Sequence, residues 1–469
     1  MLSEDTLLDI FDFYRLDAMK QPGKRPWKWH RLAHVCQKWR HIISMSPRRL
    51  DLRITCENEA PIESILRSWP TLPLVVRIDA SRKSKHLPRN VVVALHRPDR
   101  LCEIYLDVTS SMTRPIVEAI QKPFRALESI RITVRNATGP STLVRNAFLG
   151  GSAPHLREIE LDGITFPFSA IRQVLLSTNN LVELHLSKIP NEVYFSPDDL
   201  VSALSTLVQL KWLMVGFYSP DSRPPPSMTR TRHQRTSLPS LVFLQFYGTS
   251  EYIEEFAAQI DLPALWKLNI RLFNDIFFEI PQFCEFLTRL NQPCSPTSVI
   301  ITLLSLFDLE TVKVDFIYNT NLGHEYYARR YTLETSCIPF DWRLSFLTQI
   351  TSQLSPLLSS VHELTIWGGL SLKVPTGEEA ADSTEWLELF QPFTHATKVT
   401  VWETKVIPGI VQALVMEDAA GVLPELTTLS LFGYRLTPSV AKAAEQFVAT
   451  RRLAGRTVHL TNVPMLPEN

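Results

Sequence analysis

Glycine is scarce in this chain, 15 in 469 residues, and the few present form none of the patterns that bring a backbone close to phosphate. There is no G-x-G-x-x-G and no G-x-x-x-x-G-K-[ST], and Gly139-Pro140 and Gly150-Gly151 read as turn punctuation. A G-x-S-x-G nucleophile elbow is missing too. Cysteine is equally sparse: Cys36, Cys56, Cys102, Cys284, Cys294 and Cys337 are scattered without a C-x-x-C pair, which argues against a disulfide framework and a zinc ribbon and suits a reducing compartment. Net charge is absent, with 48 basic against 48 acidic residues, so no global field favours nucleic acid or an anionic membrane. Long apolar runs are lacking as well. The longest, near Val299 to Phe307, is interrupted by Thr302 and Ser305 and is about half of the ~18 residues a spanning helix needs. His30 and His34 share the spacing of zinc ligands, but Arg31 stands where H-E-x-x-H has its glutamate, so they read as an exposed helical face. No catalytic residue, cofactor site or metal site is expected, and the acidic, amphipathic N-terminus is not a signal peptide. A cytoplasmic or nuclear protein is the expectation.

Two kinds of pattern are present. Residues 1–48 form a small helical module. Ser3 suits an N-cap, Glu4 and Asp5 complement the helix dipole, and Leu7, Leu8, Ile10, Phe11 and Tyr14 give an apolar face as far as about Tyr14. Gln21-Pro22-Gly23-Lys24-Arg25-Pro26 breaks that helix, since two prolines fix φ and remove amide donors. A second helix is predicted from about Trp27 to Met45, with Trp29, Leu32, Val35, Cys36, Trp39, Ile42 and Ile43 on one face and Pro47 ending it.

The stretch Leu2-Ser3-Glu4-Asp5-Thr6-Leu7-Leu8-Asp9-Ile10-Phe11 resembles the opening helix of the F-box, and Leu32-Ala33-His34-Val35-Cys36-Gln37-Lys38-Trp39-Arg40 resembles its second half, L-x-x-V-C-+-x-W-R. F-box modules dock onto a Skp-type adaptor and so attach a substrate receptor to a cullin-RING ubiquitin ligase. The resemblance implies adaptor contacts through Leu2, Leu7, Leu8, Phe11, Val35, Cys36 and Trp39.

Residues 49–469 repeat one unit: short apolar strand, turn, helical run, strand again. L-x-x-L-x-L segments begin at Leu101, Leu127, Leu156, Leu181, Leu210, Leu241 and Leu265, roughly 24 to 31 residues apart, close to the leucine-rich-repeat period. Alternate residues of such strands point to opposite faces, so parallel stacking would bury a leucine column and leave an exposed concave sheet, with helices on the other side. Helices are predicted over 115–121, 169–177, 196–205, 252–259 and 281–290, several opened by serine or proline. The regular part spans 98–271; in the insert-rich part, 272–360, strands are expected at Ser298–Leu303 and Leu309–Val314, an extended insert at 326–336 and a helix at 344–354. Regularity returns over 361–469, with strands at Val361, Ala396 and Leu426, a helix from Pro438 to about Arg451 and a last strand at Thr457–Leu460. Where leucine-rich repeats usually place an Asn or Cys that bonds the turn, this chain has Thr109, Arg135, Ile164, Ile189 and Tyr218, so turns closed in another way are expected. The join of the two halves is similar to F-box/leucine-rich-repeat proteins of the fungal type.

Fold class is thus α/β: a leucine-rich-repeat-like solenoid with a parallel concave sheet, preceded by a small α-helical F-box-like module. On the concave face the early strands would present the acidic set Glu103, Asp107, Glu158, Glu160, Asp162 and Glu183 with Tyr105, apart from Arg131. The middle strands would present Trp212, Met214, Phe243 and Tyr247, and the late ones Trp367, Trp402 and Phe432. Exposed aromatics on a rigid surface dominate binding hot spots, so these residues are the candidate target-binding face. The basic loop Arg223–Arg235 is a candidate phosphate-recognising arginine cluster or a plain surface loop; Ser81–His86 and the acidic Gly377–Glu388 read as solvated stretches. The function the resemblance implies is substrate recognition in a Skp-cullin-F-box ligase, by a chain monomeric apart from that complex. The alternative is a non-ligase scaffold whose first helices only cap the repeats.

Overall fold

A computed structural model describes residues 2–19, 30–46, 49–50, 52–56, 62–78, 87–135, 142–144, 147–218, 235–273, 280–290, 295–306, 309–318, 329–337, 340–368, 383–402, 406–416, 421–433 and 438–464. The chain divides into two compact units, Met1–Lys188 and Ile189–Asn469. Both are mixed α/β, and each combines helices with strands of one large parallel-rich sheet.

The first unit opens with α1 (Glu4–Met19), α2 (His30–Ala33) and α3 (Gln37–Met45). Ser3 caps α1, its Oγ accepting from the Thr6 amide at 3.1 Å. The helix runs past Tyr14 to Met19. The second predicted helix is two. Chain direction breaks at His34-Val35, because Cys36 is extended (φ −158°) and serves as the N-cap of α3, its sulfur accepting from the Trp39 amide. Arg40 closes the interruption by donating Nε to the Ala33 carbonyl at 3.0 Å. The breaker at 21–26 and Trp27 and Trp29 lie outside the described residues.

Then come β1 (Ile54–Cys56), α4 (Ile62–Ser68), β2 (Leu74–Ile78), α5 (Arg89–Leu95), β3 (Leu101–Thr109), α6 (Thr113–Ala119), β4 (Ser129–Arg135), β5 (Glu158–Asp162), α7 (Phe168–Ser177) and β6 (Glu183–Ile189). The sheet order is β1-β2-β3-β4-β5-β6, every pair parallel. Register is set by the leucine pattern: Ile104, Ile130, Ile159 and Leu184 form one buried row, and Leu106, Ile132, Leu161 and Leu186 the next. Slipping one residue would turn both rows out to water, which fixes the alignment.

The second unit contains α8 (Pro197–Leu204), β7 (Trp212–Phe217), β8 (Phe243–Gly248), α9 (Ser250–Gln259), β9 (Lys267–Leu272), α10 (Pro281–Leu290), β10 (Ser298–Leu306), β11 (Leu309–Tyr318), β12 (Arg329–Cys337), α11 (Phe340–Gln353), α12 (Ser355–Leu358), β13 (Glu363–Gly368), α13 (Ser383–Phe390), β14 (Lys398–Trp402), α14 (Ile407–Val415), β15 (Thr428–Gly433), α15 (Pro438–Leu453) and β16 (His459–Pro464). Ser196 begins α8 with a reciprocal capping box, paired with Asp199. Successive helices pack against each other, α8 on α9, α9 on α10, and α13 on α14 on α15.

The strand order is β7-β8-β9-β12-β11-β10-β13-β14-β15-β16. Here the expected parallel sheet is interrupted. β11 runs antiparallel to both β10 and β12, so the stretch beginning at Leu309 is the reversed strand of a meander, and the insert read as extended becomes the sheet strand β12. Burial still alternates along it, with Val312, Val314 and Phe316 inside.

Turns are closed by backbone in place of an asparagine ladder. One carbonyl accepts two successive amides of the next repeat: Glu128 O from Arg157 and Glu158, Arg157 O from Val182 and Glu183, Val242 O from Trp266 and Lys267, Thr397 O from Thr427 and Thr428. Before several strands a proline-containing turn brings the leading leucine back onto a buried residue three places earlier, Leu156 on Ala153, Leu241 on Leu238, Leu265 on Leu262 and Leu426 on Leu423. Proline at the second position of these turns presets the φ they need. Among the described residues no helix is long and apolar enough to cross a membrane.

Candidate functional site

The helical module keeps its own small core. Leu7, Leu8 and Phe11 of α1 and Ile42 and Ile43 of α3 are buried, α1 packs on α3, and Phe11 meets the half-buried Trp39 edge-to-face at 4.9 Å. Of the residues assigned to adaptor contact, these three therefore hold α1 on α3. The outward apolar positions are Leu2, Ile10, Phe13, Tyr14, Val35 and Met45, with Phe13 79% and Val35 58% exposed. Cys36 is exposed but engaged as a cap. A third side of α1 carries Asp5, Asp9 and Asp12, and Arg49 reaches all three, closest to Asp9 at 2.6 Å. Apolar burial, an open apolar side and a charged clasp thus occupy different sides of one helix.

In the first unit the sheet face opposite the leucine rows is laced with charge. Glu103, Ser129, Glu158 and Glu183 lie in one row across the strands, and Tyr105, Arg131, Glu160 and His185 in the next. The carboxylates do not form a bare acidic surface, because cations stand between them. Arg131 lies 3.0 Å from Glu158, 3.4 Å from Glu183 and 3.6 Å from Glu160. Arg53 holds Glu103 at 2.5 Å and Glu128 at 3.1 Å, Arg77 holds Glu103, Arg135 holds Asp107, and Lys188 holds Asp162. Arg77 and Arg131 both stand over the Tyr105 ring, at 4.6 and 5.8 Å. Burial lowers the basicity of Arg131, and Glu158 and Glu160 more than restore it. Burial also pulls the His185 imidazole below its ordinary value against Glu160 and Glu183, and its Nε2 is buried without a hydrogen bond.

The second unit arranges the same face differently. Trp212 and Phe243 sit in the first row, 4.8 Å apart, and Trp212 is 41% exposed. In the third row Trp367, Trp402 and Phe432 stack in order, 5.4 Å and then 4.0 Å between rings, the last pair only 8° from parallel. Trp367 is 48% exposed, while Trp402 and Phe432 are half-buried. Met214 and Tyr247 are half-buried on this face as well, with Gln245 donating to the Tyr247 hydroxyl. Sequence reasoning placed these aromatics on one face, and register unites them as two clusters.

Between the clusters lies Asp315, which no sequence pattern singled out. Its carboxylate is 1% exposed and accepts from Arg330 Nη2 at 2.6 Å, Arg330 Nε at 3.0 Å and Thr332 at 2.5 Å, with Lys313 at 3.1 Å. Burial pushes this carboxyl up, but Arg330, Thr332 and Lys313 outweigh it and hold it below the ordinary value. Arg330 and Lys313 could have been found only by knowing that β11 reverses, since that reversal sets the three side chains side by side.

Burial pushes the Cys102 and Cys284 thiols up to about 12, so neither is a thiolate at neutral pH. Among the described residues no three His, Cys, Asp or Glu side chains converge as metal ligands would. The arginine-rich loop lies outside the described residues apart from Arg235, which pairs with Glu285 at 2.9 Å; residues 81–86 and 377–382 lie outside them too, and the acidic stretch after 382 opens α13. No protein-family profile matches the chain, and no curated protein matches it in sequence.

Proposed function

We propose that this chain is the substrate-recognition subunit of a Skp-cullin-F-box ubiquitin ligase: an F-box-like module on an irregular leucine-rich-repeat-like solenoid, binding a Skp-type adaptor through its first helices and a target protein through the open sheet face. The observation that carries the reading is the open apolar side of the helical module. Leu2, Ile10, Phe13, Tyr14, Val35 and Met45 stay in contact with water although α1 and α3 bury other apolar residues. Ile10, Phe13 and Tyr14 share one side of α1, and large apolar side chains left in water are what a partner interface presents. Thioester chemistry belongs to other subunits of such an assembly. The receptor's contribution is positional, holding a target where its lysines meet the charged conjugating enzyme.

Full-length chain with Phe13 and Val35 both changed to aspartate tests the reading by affinity purification from cells. Both side chains are exposed, so melting should stay within about 0.5 kcal/mol of wild type. Co-purification of a Skp-type adaptor and a cullin with wild type, and their loss from the double variant, supports the reading; absence of the adaptor from wild type rejects it. The second reading, a scaffold whose first helices are a cap, is favoured by the Arg49 clasp on Asp5, Asp9 and Asp12, which ties α1 to the chain that follows. Under that reading the double aspartate variant changes neither partners nor stability. For the target face, alanine at Trp367 and Trp402 should abolish target capture in a chain that still folds, at the cost of the stacking between their rings.

A further inference from the structure

Charge and ring positions on the open face of the second unit specify more than a general binding surface. The central strands place four cations, Lys267, Arg271, Lys313 and Arg330, against two carboxylates, Asp315 and Glu334. Arg271 is matched by Glu334 at 3.3 Å, and Lys313 and Arg330 share the single charge of Asp315. Lys267 makes no ion pair among the described residues and lies 5.5 Å from the Phe243 ring centroid. Among the described residues two positive charges are therefore left over, one at Lys267 and one on the Asp315 cluster. Neither is buried in the way that would neutralise it: the Arg330 side chain is 43% exposed and Lys267 is exposed.

Aromatic clusters flank this basic centre. Trp212–Phe243 adjoins Lys267 on the strands before it, and Trp367–Trp402–Phe432 follows beyond β10. Trp367 stacks on Trp402 by one face, and its register neighbour on the other side is the small Thr302. That leaves an indole face for an incoming side chain.

Resting on the reading of this face as a target surface, we infer that its occupant is an extended acidic peptide segment with apolar or aromatic anchors toward both ends. From β7 to β13 there are six strand spacings, roughly 30 Å at ~4.8 Å each. An extended segment covers that in about nine residues. Its carboxylates meet Lys267 and Arg330, and its terminal side chains cover the two aromatic clusters.

The test uses the full chain and fluorescence anisotropy with three labelled nonapeptides: phenylalanine at both ends with acidic residues between, the same with lysines for the acids, and the same with alanines for the phenylalanines. The acidic, phenylalanine-ended peptide should bind at least about tenfold tighter than either control, ~1.4 kcal/mol. Lys267→Glu should weaken it by about tenfold, with unchanged melting because Lys267 pairs with no carboxylate among the described residues. Equal affinity for the three peptides, no saturable binding of the acidic one, or indifference to Lys267→Glu overturns the inference. Adaptor co-purification, measured on the same Lys267→Glu protein, reports separately on the ligase reading: a chain that keeps its adaptor but ignores the acidic peptide loses only the target chemistry.

Discussion

Two units with one pattern of buried apolar rows present opposite kinds of open face. In the first unit Arg131 alone answers three carboxylates, and Arg53, Arg77, Arg135 and Lys188 answer most of the others. In the second, rings stack on rings, and two cations crowd one buried carboxylate. A repeat fixes which positions are inside; it leaves each outward position free to vary. The first face spends its outward positions on mutual neutralisation, which leaves few groups with an unmet preference. The second leaves indole surface and positive charge in water, and those are the groups that gain most when a partner removes the water.

Removing the centre of the second face should cost the most. Asp315→Ala deletes hydrogen bonds to Arg330 and Thr332 and the partner of Lys313, and a charge-assisted bond is worth about 1.5–3 kcal/mol. We expect roughly 3 kcal/mol of lost stability by denaturant titration. The carboxyl sits below its ordinary value in the folded chain, so its contribution is complete above the ordinary aspartate value and disappears as pH falls through the lowered one. Asp315→Asn should therefore flatten the acid side of the stability curve. A loss no larger than that of Arg131→Ala would abolish the contrast between the two faces. Next in size is Trp402→Ala, which removes two ring contacts of ~0.5–1.5 kcal/mol each. Trp367→Ala, at the open end of the stack, should cost about half as much in urea melts while reducing target capture more.

Much of this was legible in the chain. Seven L-x-x-L-x-L strands, Ser196 as a helix start and the late aromatics at one strand position are all where spacing put them. Direction was not legible, because alternation with period two reads the same either way: Leu309-x-x-Val312-x-Val314 fits a parallel repeat as well as the antiparallel β11 it forms. Nor could the three-and-four spacing detect the break at Cys36, since one extended residue barely shifts the apolar stripe. β1 and β2 escaped because Ile54–Cys56 and Leu74–Ile78 are short and lack the leading leucine pattern. In the helical module a stripe identifies residues that share a face without saying what the face meets. Leu7, Leu8 and Phe11 meet the chain itself, and Ile10 and Phe13 meet water.

The first face offers the smaller effects. Arg131 is 39% exposed, so its three ion pairs are screened, and Arg131→Ala should cost less than about 1 kcal/mol in dilute buffer. Raising salt to several hundred millimolar should shrink that difference further. A cost that persists in high salt would mean the network is held by packing around Tyr105 and is less open than its exposure implies.

The smallest effect lies two strands along the same row, at His185. Burial keeps its imidazole below the ordinary value, with Glu160, Glu183 and Glu158 pulling the other way and Arg131 pushing with the burial. The unfolded chain therefore takes up a proton first as pH falls, and stability drops from about the ordinary histidine value near 6.5 down through the lowered folded one. His185→Gln keeps a polar side chain and cannot titrate, so its stability between pH 7 and pH 5 should be flatter than that of wild type by a fraction of a kcal/mol. Urea titrations at the two pH values measure the difference. If the variant and wild type lose stability in parallel, protonated His185 is accommodated by Glu160 and Glu183, and the first face can absorb added positive charge, which the crowded cations of the second cannot.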